Sequence, residues 1–474
     1  MFYFSEKLDI QAALLVLTKE GLETFRKLET ILQEREQEQD VSKKVNRLVI
    51  ALTFLVKMTV NLSEQYRNSV VEEFQAFSEF LGFMFLRGEN IFPYLDPPVM
   101  EKMNRDLFLH NPALSLLLNV PAIDKFVEFL LSADTDERLA FSNVQIMMAL
   151  VESDSVSEDL KVRLVDCLLE QFGWCETELQ RRDWLESPEV PGLQVTLLGS
   201  YEWVLTRVCR FISTLGPEQF PDLEVAIFRN LVGENNLTCQ LCSDLLCFVG
   251  RFGSAELCLA HLETVSQLYL NLDQGTFSYQ APWLRVLVAR LFNFLGSGER
   301  KLWSERFSPV EAENLALWGA VNLGVLEDPE TLKLLRDVCF AQFNRITEEL
   351  NTIVLTNVLH TLTGLVKVTK AVDYHDAMLS LWQRLAEGDF VPFSEFWLVQ
   401  LFNAITRLTV ALVPTLSRPD LRLLVSDLRR IVGSARGQGN PAFLVSCTLA
   451  VLQQVSRLDW ISHIEVTFNS SRAS

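Results

Sequence analysis

Apolar residues recur at helical spacing along nearly the whole chain. From Leu241 onward, Leu241, Leu245, Phe248 and Phe252 fall at i, i+4, i+7 and i+11, which places them on one face of an α-helix. Cys258, Leu262, Val265, Leu268 and Leu272 continue the same kind of spacing. So do the runs WLRVLVARLFNFLG (283–296), TIVLTNVLHTLTGLVKV (352–368) and FWLVQLFNAITRLTVALV (396–413). Alternating strand patterns closed by Asn-Gly or Asp-Gly turns do not occur, so the spacing predicts an all-α fold.

The breaks between these runs are short and carry cap chemistry. In FSPVEAENLALW (307–318), Ser308 is placed to accept at an N-cap, Pro309 suits the first helical position, and Glu311 completes a capping box. Gly253 can take the left-handed conformation that closes one helix, and Ser254 can open the next. Segments 132–138, 152–159 and 181–194 read as exposed corners, and 34–44 as either a solvated helix or a linker. Helix pairs of roughly 35–45 residues without strands predict a HEAT- or armadillo-like α-solenoid of stacked helix pairs. An irregular helical bundle is the alternative, but one compact helical core of this length would exceed the usual domain size. The array divides into N-terminal repeats over 1–190 and C-terminal repeats over 191–474, read as one continuous solenoid.

Composition supports a large core: 49% of the 474 residues are hydrophobic and 22% charged, with 32 Phe against 7 Tyr. Sixty-one acidic against 42 basic residues leave a net charge of −19. Binding along nucleic acid draws on a basic face, so direct DNA binding is not expected to be strong, and proteins are the expected partners. The start, MFYFSEKLDI, lacks the features of a signal peptide. The most membrane-like run, Leu48–Leu62, is interrupted by Lys57 and falls short of the ~20 apolar residues that span a bilayer. It reads as a buried helix, and no membrane association is expected. Nine scattered cysteines suit a reducing cytosol or nucleus.

The sequence carries little catalytic chemistry. Phosphate-loop, His-Glu-x-x-His and Gly-x-Ser-x-Gly patterns are absent, and GQGNPA (437–442) follows a helical run rather than a strand, so it reads as a loop. Cys239-Gln-Leu-Cys242, with Cys247, Cys258 and His261 nearby, has the types of a zinc set. The pair lies at the start of a strongly periodic helix, however, and Cys247 is surrounded by apolar residues, so core packing is the reading. His360, between Leu359 and Thr361, reads as a structural histidine, and His110 and His375 fall beside helix ends. Trp283, Trp303 and Trp318 are candidate interface anchors, with helix-to-helix packing the plainer reading. No enzyme, metal or cofactor is expected.

Two strings carry a family resemblance. CFVGRFGSAELCLAHLETVSQLY (247–269), followed by RFSPVEAENLALWGAV (306–321), resembles the fidgetin-like-1-interacting regulator of recombination and mitosis, FIRRM, called FLIP in plants. The matching positions are Cys247, Phe248, Arg251, Gly253, Ala255, Glu256, Leu257 and Cys258, then Phe307–Leu315, Leu317 and Trp318. Leu246 stands where the family's Trp-Cys-Phe triplet has Trp. The similarity covers 240–321 and contains no catalytic motif. It implies a non-enzymatic helical partner of a fidgetin-like AAA ATPase. That complex removes RecA-type recombinase from DNA, restrains recombination and supports crosslink repair and meiosis, which implies a nuclear and secondarily cytoplasmic location.

At the corner between the two helices, Arg251 and Glu256 are the polar residues that packing does not require. They are the candidate partner-binding residues, with capping and mutual pairing as the plainer role. Phe248 and Trp318 complete the candidate set and also suit the core. Fold class alone would equally suit a scaffold in transport or cytoskeletal assembly.

Overall fold

The computed structural model describes residues 10–33, 39–65, 74–85, 123–132, 140–176, 179, 184–186, 197–272, 280–349, 352–369, 374–387, 395–435 and 442–456. Packing groups the chain into two compact units, Met1–Leu246 and Cys247–Ser474. His110, all of the 437–442 run but its last residue, and most of 132–138 and 181–194 lie outside the described residues.

In the first unit, α1 (Ile10–Gln33) packs on α2 (Gln39–Gln65) and on α3 (Phe74–Phe85). Next come α4 (Ile123–Ser132), α5 (Ala140–Val151) and α6 (Glu158–Phe172), with α5 and α4 both against α6. The corner 152–159 between α5 and α6 is a turn whose charged residues are exposed while Ser153 and Val156 tuck inward. Then α7 (Ser200–Thr214) and α8 (Phe220–Leu231) lead into α9 (Asn236–Phe252). Helix α5 is buried nearly all round, and the helices of this unit pack on partners that are next or next-but-one in sequence. That is the pairing of a stacked-helix array, so the all-α, stacked-pair fold holds.

Two departures arise in this unit. A two-stranded antiparallel ribbon, β1 (Trp184–Glu186) with β2 (Leu197–Gly199), pairs Leu185 with Leu198; three residues per strand leave no room for an alternating pattern to register. Helix α2 is buried on one face only. Val45, Val49, Leu52, Val56 and Thr59 line that face, whereas Ile50 and Phe54 are more than half exposed. Its span Lys43–Ser63 is long and apolar enough by composition to cross a membrane, but Lys57 interrupts it and one side is already occupied by packing.

The second unit starts in the last turns of α9 and continues through α10 (Ala255–Asn271), α11 (Gln280–Phe294), α12 (Ser297–Arg306) and the one-turn α13 (Leu315–Trp318). It then runs through α14 (Pro329–Glu349), α15 (Thr352–Val368), α16 (His375–Glu387), α17 (Glu395–Leu412), α18 (Arg418–Ala435) and α19 (Ala442–Ser456). Here α10 packs on α11, α15 on both α14 and α17, α16 on α18, and α17 on α19.

Its core is an aromatic cluster around Trp303. The Trp303 ring lies 5.1 Å from Phe292, 5.4 Å from Phe307 and 5.2 Å from Trp318, two of these pairs edge-to-face. Both indoles are fully buried with their N–H groups satisfied. Trp303 Nε1 donates to Ser266 Oγ at 3.1 Å, and Trp318 Nε1 donates to the Phe307 carbonyl at 2.9 Å. A buried indole costs little only when its N–H finds such a partner. Packing is therefore the role of Trp303 and Trp318.

The predicted helix from Pro309 does not form. Glu311 N donates to the Ser308 carbonyl at 3.2 Å, closing a turn with Pro309 inside it. A 3₁₀ turn over Ala312–Asn314 follows, and only then α13. Asn314, itself buried, donates to the Ser308 carbonyl at 3.0 Å and to Glu311 Oε2 at 3.1 Å. Glu311 thus serves the loop rather than a capping box. Leu315, Ala316, Leu317 and Trp318 are all buried. Four consecutive buried side chains surround a helix, and a longer amphipathic helix could bury only one stripe of them.

The α9–α10 corner also closes differently from expectation. Gly253 does not adopt a left-handed φ; its N–H approaches the Val249 carbonyl to 2.7 Å, and an added Cβ would sit 2.7 Å from that same oxygen. Glycine is required here by closeness, not by handedness. Gly253→Ala is expected to cost about 1–3 kcal/mol, because backbone rather than a flexible side chain must move. Denaturant titration of the variant checks this, and an unchanged midpoint would contradict it. Ser254 behaves as predicted: its hydroxyl accepts from Leu257 N at 3.2 Å and caps α10.

Candidate functional site

The corner Cys247–Cys258 presents an aromatic surface built by the end of α9. Along the apolar face predicted for α9, Leu241 and Leu245 are buried and Phe248 is half-buried, but Phe252 is 70% exposed. The face runs out into solvent at the last turn. Phe248 and Phe252 pair at 5.0 Å between ring centroids, and the exposed Arg251 guanidinium stands 5.7 Å over the Phe252 ring. This is a cation–π arrangement of modest energy at an exposed site. Gly250 lets the helix approach α11 closely: an added Cβ would lie 2.7 Å from Leu291 and 3.7 Å from Phe294, itself 39% exposed.

Glu256 occupies the first turn of α10. Its carboxylate is held below the usual range by its own backbone N–H and then by the Ser254 hydroxyl. That is the charge expected to favour a helix N-terminus. No ion pair joins Arg251 to Glu256 among the described residues. The structure therefore brings Phe248, Arg251 and Glu256 to one surface corner and leaves Trp318 in the core. Phe252 completes the surface. Sequence reasoning counted it as a buried member of its face, and the signal available was its position as the last residue before a helix break.

The cysteines are packing residues. Cys239, Cys242 and Cys258 are buried. The Cys239 thiol donates to the Gly233 carbonyl at 3.4 Å and the Cys258 thiol to Leu291 at 3.7 Å. Burial pushes the Cys239 and Cys258 thiols up to about 11, which holds them protonated and unreactive. Among the described residues, no group of three or more His, Cys, Asp or Glu converges to hold a metal.

A second feature escaped sequence reasoning. A cavity of about 1090 Å³ in the second unit is lined by Arg285 of α11, His360 and Lys367 of α15, and Arg407 of α17. His360 is thus a cavity residue rather than a core one. Burial, then the charges of Arg285 and Arg407, push its pKa down to about 3. The legible signal was three cations in apolar helices with no carboxylate three or four residues away on either side.

The chain is similar to proteins named FIGNL1-interacting regulator of recombination and mitosis. The Rattus norvegicus protein is 27% identical over 233 residues, 46% of this chain and 25% of that protein. The Homo sapiens protein is 28% identical over 233 residues, 49% and 27% of the respective chains. The Mus musculus protein is 25% identical over 277 residues, 55% and 30%. The chain thus spans no more than 30% of the length of these relatives, and their name is that of the family which the strings at 247–269 and 306–321 resemble. Residues 114–386, more than half of the chain and the part containing both strings, match the family described as Domain of unknown function (DUF4487), and the chain belongs to that family.

Proposed function

We propose that this chain is a non-enzymatic helical adaptor that binds a fidgetin-like AAA ATPase through the α9–α10 corner. In this reading it regulates removal of RecA-type recombinase from DNA during homologous recombination, crosslink repair and meiosis, in the nucleus. The observation that carries it is the solvent-facing Phe252, paired with Phe248 under Arg251, inside the string that resembles the family. An exposed aromatic with an arginine beside it has the composition of an interface hot spot. The relatives' name, an interactor of FIGNL1 and a regulator of recombination and mitosis, supports the choice of partner. The acidic balance of the chain suits a basic segment on the ATPase or the recombinase, and the ATPase would supply the chemistry.

Phe252→Ala combined with Arg251→Glu is expected to weaken binding to the fidgetin-like ATPase by at least about tenfold. Both side chains are exposed, so the melting temperature is expected to stay unchanged. Pull-down titration of the purified pair, with a melting curve for the variant, checks both halves. Undiminished affinity would move the interface elsewhere.

A further inference from the structure

The geometry points to the second unit's cavity as a binding site for an organic phosphate of nucleotide size. Three cationic side chains from three helices, Arg285, Lys367 and Arg407, reach one cavity, and among the described residues its lining contains no aspartate or glutamate. That is notable in a chain where acidic residues outnumber basic ones by 61 to 42. No ion pair joins any of the three to a carboxylate among the described residues. The partner found for Arg285 is a backbone carbonyl: its Nη2 donates to Gly319 O at 3.0 Å, which orients the guanidinium and leaves its charge uncompensated. Burial depresses the Arg285 pKa, and the Arg407 charge pushes it the same way. His360 is depressed by burial and by those two arginines. Burial is the larger cause for both groups, and the mutual repulsion of the cations adds to it.

The kind of anion follows from charge and size. One carboxylate would offset one of the three cations, whereas a phosphate or diphosphate concentrates two or more negative charges on a group that guanidinium forks bind well. Asn322, Asn357 and Gln400 add amide groups to the lining. Pro282, Val286 and Ile353 supply apolar wall that a bare inorganic ion would leave wet. The volume is at the upper end of small-ligand pockets, which run to roughly 1,000 Å³. An organic body attached to the phosphate fills that space. Among the described residues the cavity lining holds no carboxylate to position a divalent cation, so binding is expected without one.

The test uses the full chain in EDTA, with ADP, inorganic pyrophosphate and adenosine as probes, read by calorimetry and melting temperature. ADP is expected to bind and raise the melting temperature, pyrophosphate to bind more weakly, and adenosine not to bind. Lys367 and Arg407 are exposed, so Lys367→Gln and Arg407→Gln should fold normally, and each is expected to lower ADP affinity at least about tenfold. Failure of both ADP and pyrophosphate to bind, equal binding of ADP and adenosine, or ADP affinity unchanged in both variants would overturn the proposal. So would a polyglutamate or single-stranded oligonucleotide that displaces ADP while binding more tightly than it does.

Discussion

Replacing Trp303 with alanine is expected to lower the stability of the second unit by about 3–5 kcal/mol. The ring is fully buried and touches Phe292, Phe307 and Trp318 within 5.1–5.4 Å. Its removal leaves a cavity lined by three aromatic rings that cannot all collapse inward. It also strips the Ser266 hydroxyl, itself buried, of its indole donor, adding the cost of an unsatisfied polar group. A loss of this size is a large fraction of a domain's marginal stability. Guanidinium unfolding followed by far-UV circular dichroism is the measurement, and a loss under about 1 kcal/mol would mean that the cluster is not the core. Trp318→Phe is a useful companion. It preserves most of the ring volume but leaves the Phe307 carbonyl without its indole donor, so a smaller loss of about 1–2 kcal/mol is expected.

Acid is expected to destabilise the second unit through His360 well before ordinary carboxylates titrate. Its pKa is about 3 in the folded chain against 6.5 as reference, owing to burial and then to Arg285 and Arg407. Lys367 of the same helix also lines the cavity, as does Tyr269. Because the folded value is the lower one, the unfolded chain binds the extra proton between about pH 6.5 and 3. Stability is then fully present above pH 6.5 and falls as pH drops below it, by up to about 1.4 kcal/mol per pH unit. His360→Gln removes the titrating group, so its stability should decline less between pH 6.5 and 4.5 than that of the parent chain. Parallel pH-stability curves for the two proteins would contradict the assignment. A bound anion in the same cavity would oppose the two arginines and raise the folded His360 pKa towards its reference value, so the acid decline is expected to become smaller while still beginning near pH 6.5.

The two strings that carry the resemblance turn out to play different physical parts. The later one is architecture. Phe307 and Trp318 close the aromatic cluster, Asn314 ties the loop, and Glu311 bonds to Asn314. The earlier one holds both architecture and surface. Cys258 and Gly250 allow close packing, while Arg251, Phe252 and Glu256 face solvent. A shared motif in sequence does not by itself separate these roles, because a buried Trp and an exposed Phe look alike as apolar letters.

What the sequence determined by itself was what local physics controls. Apolar spacing set the helical class and placed α11, α15 and α17 within a few residues of 283–296, 352–368 and 396–413. Ser254 was legible as a cap, since its hydrogen bond spans three residues. The same local reasoning misjudged 309–318, where burial of every side chain in α13 overrode a well-formed cap signal. It also misjudged Phe252, because periodicity assigns a residue to a face but not a cover to that face. Convergence was beyond it entirely. Arg285, His360, Lys367 and Arg407 lie on three helices, separated by up to 122 positions in the numbering, and only the packing of α11, α15 and α17 brings them to one cavity. Helical periodicity is decided within a few residues along the chain, whereas exposure and electrostatic neighbourhood are decided by which distant helices arrive beside them.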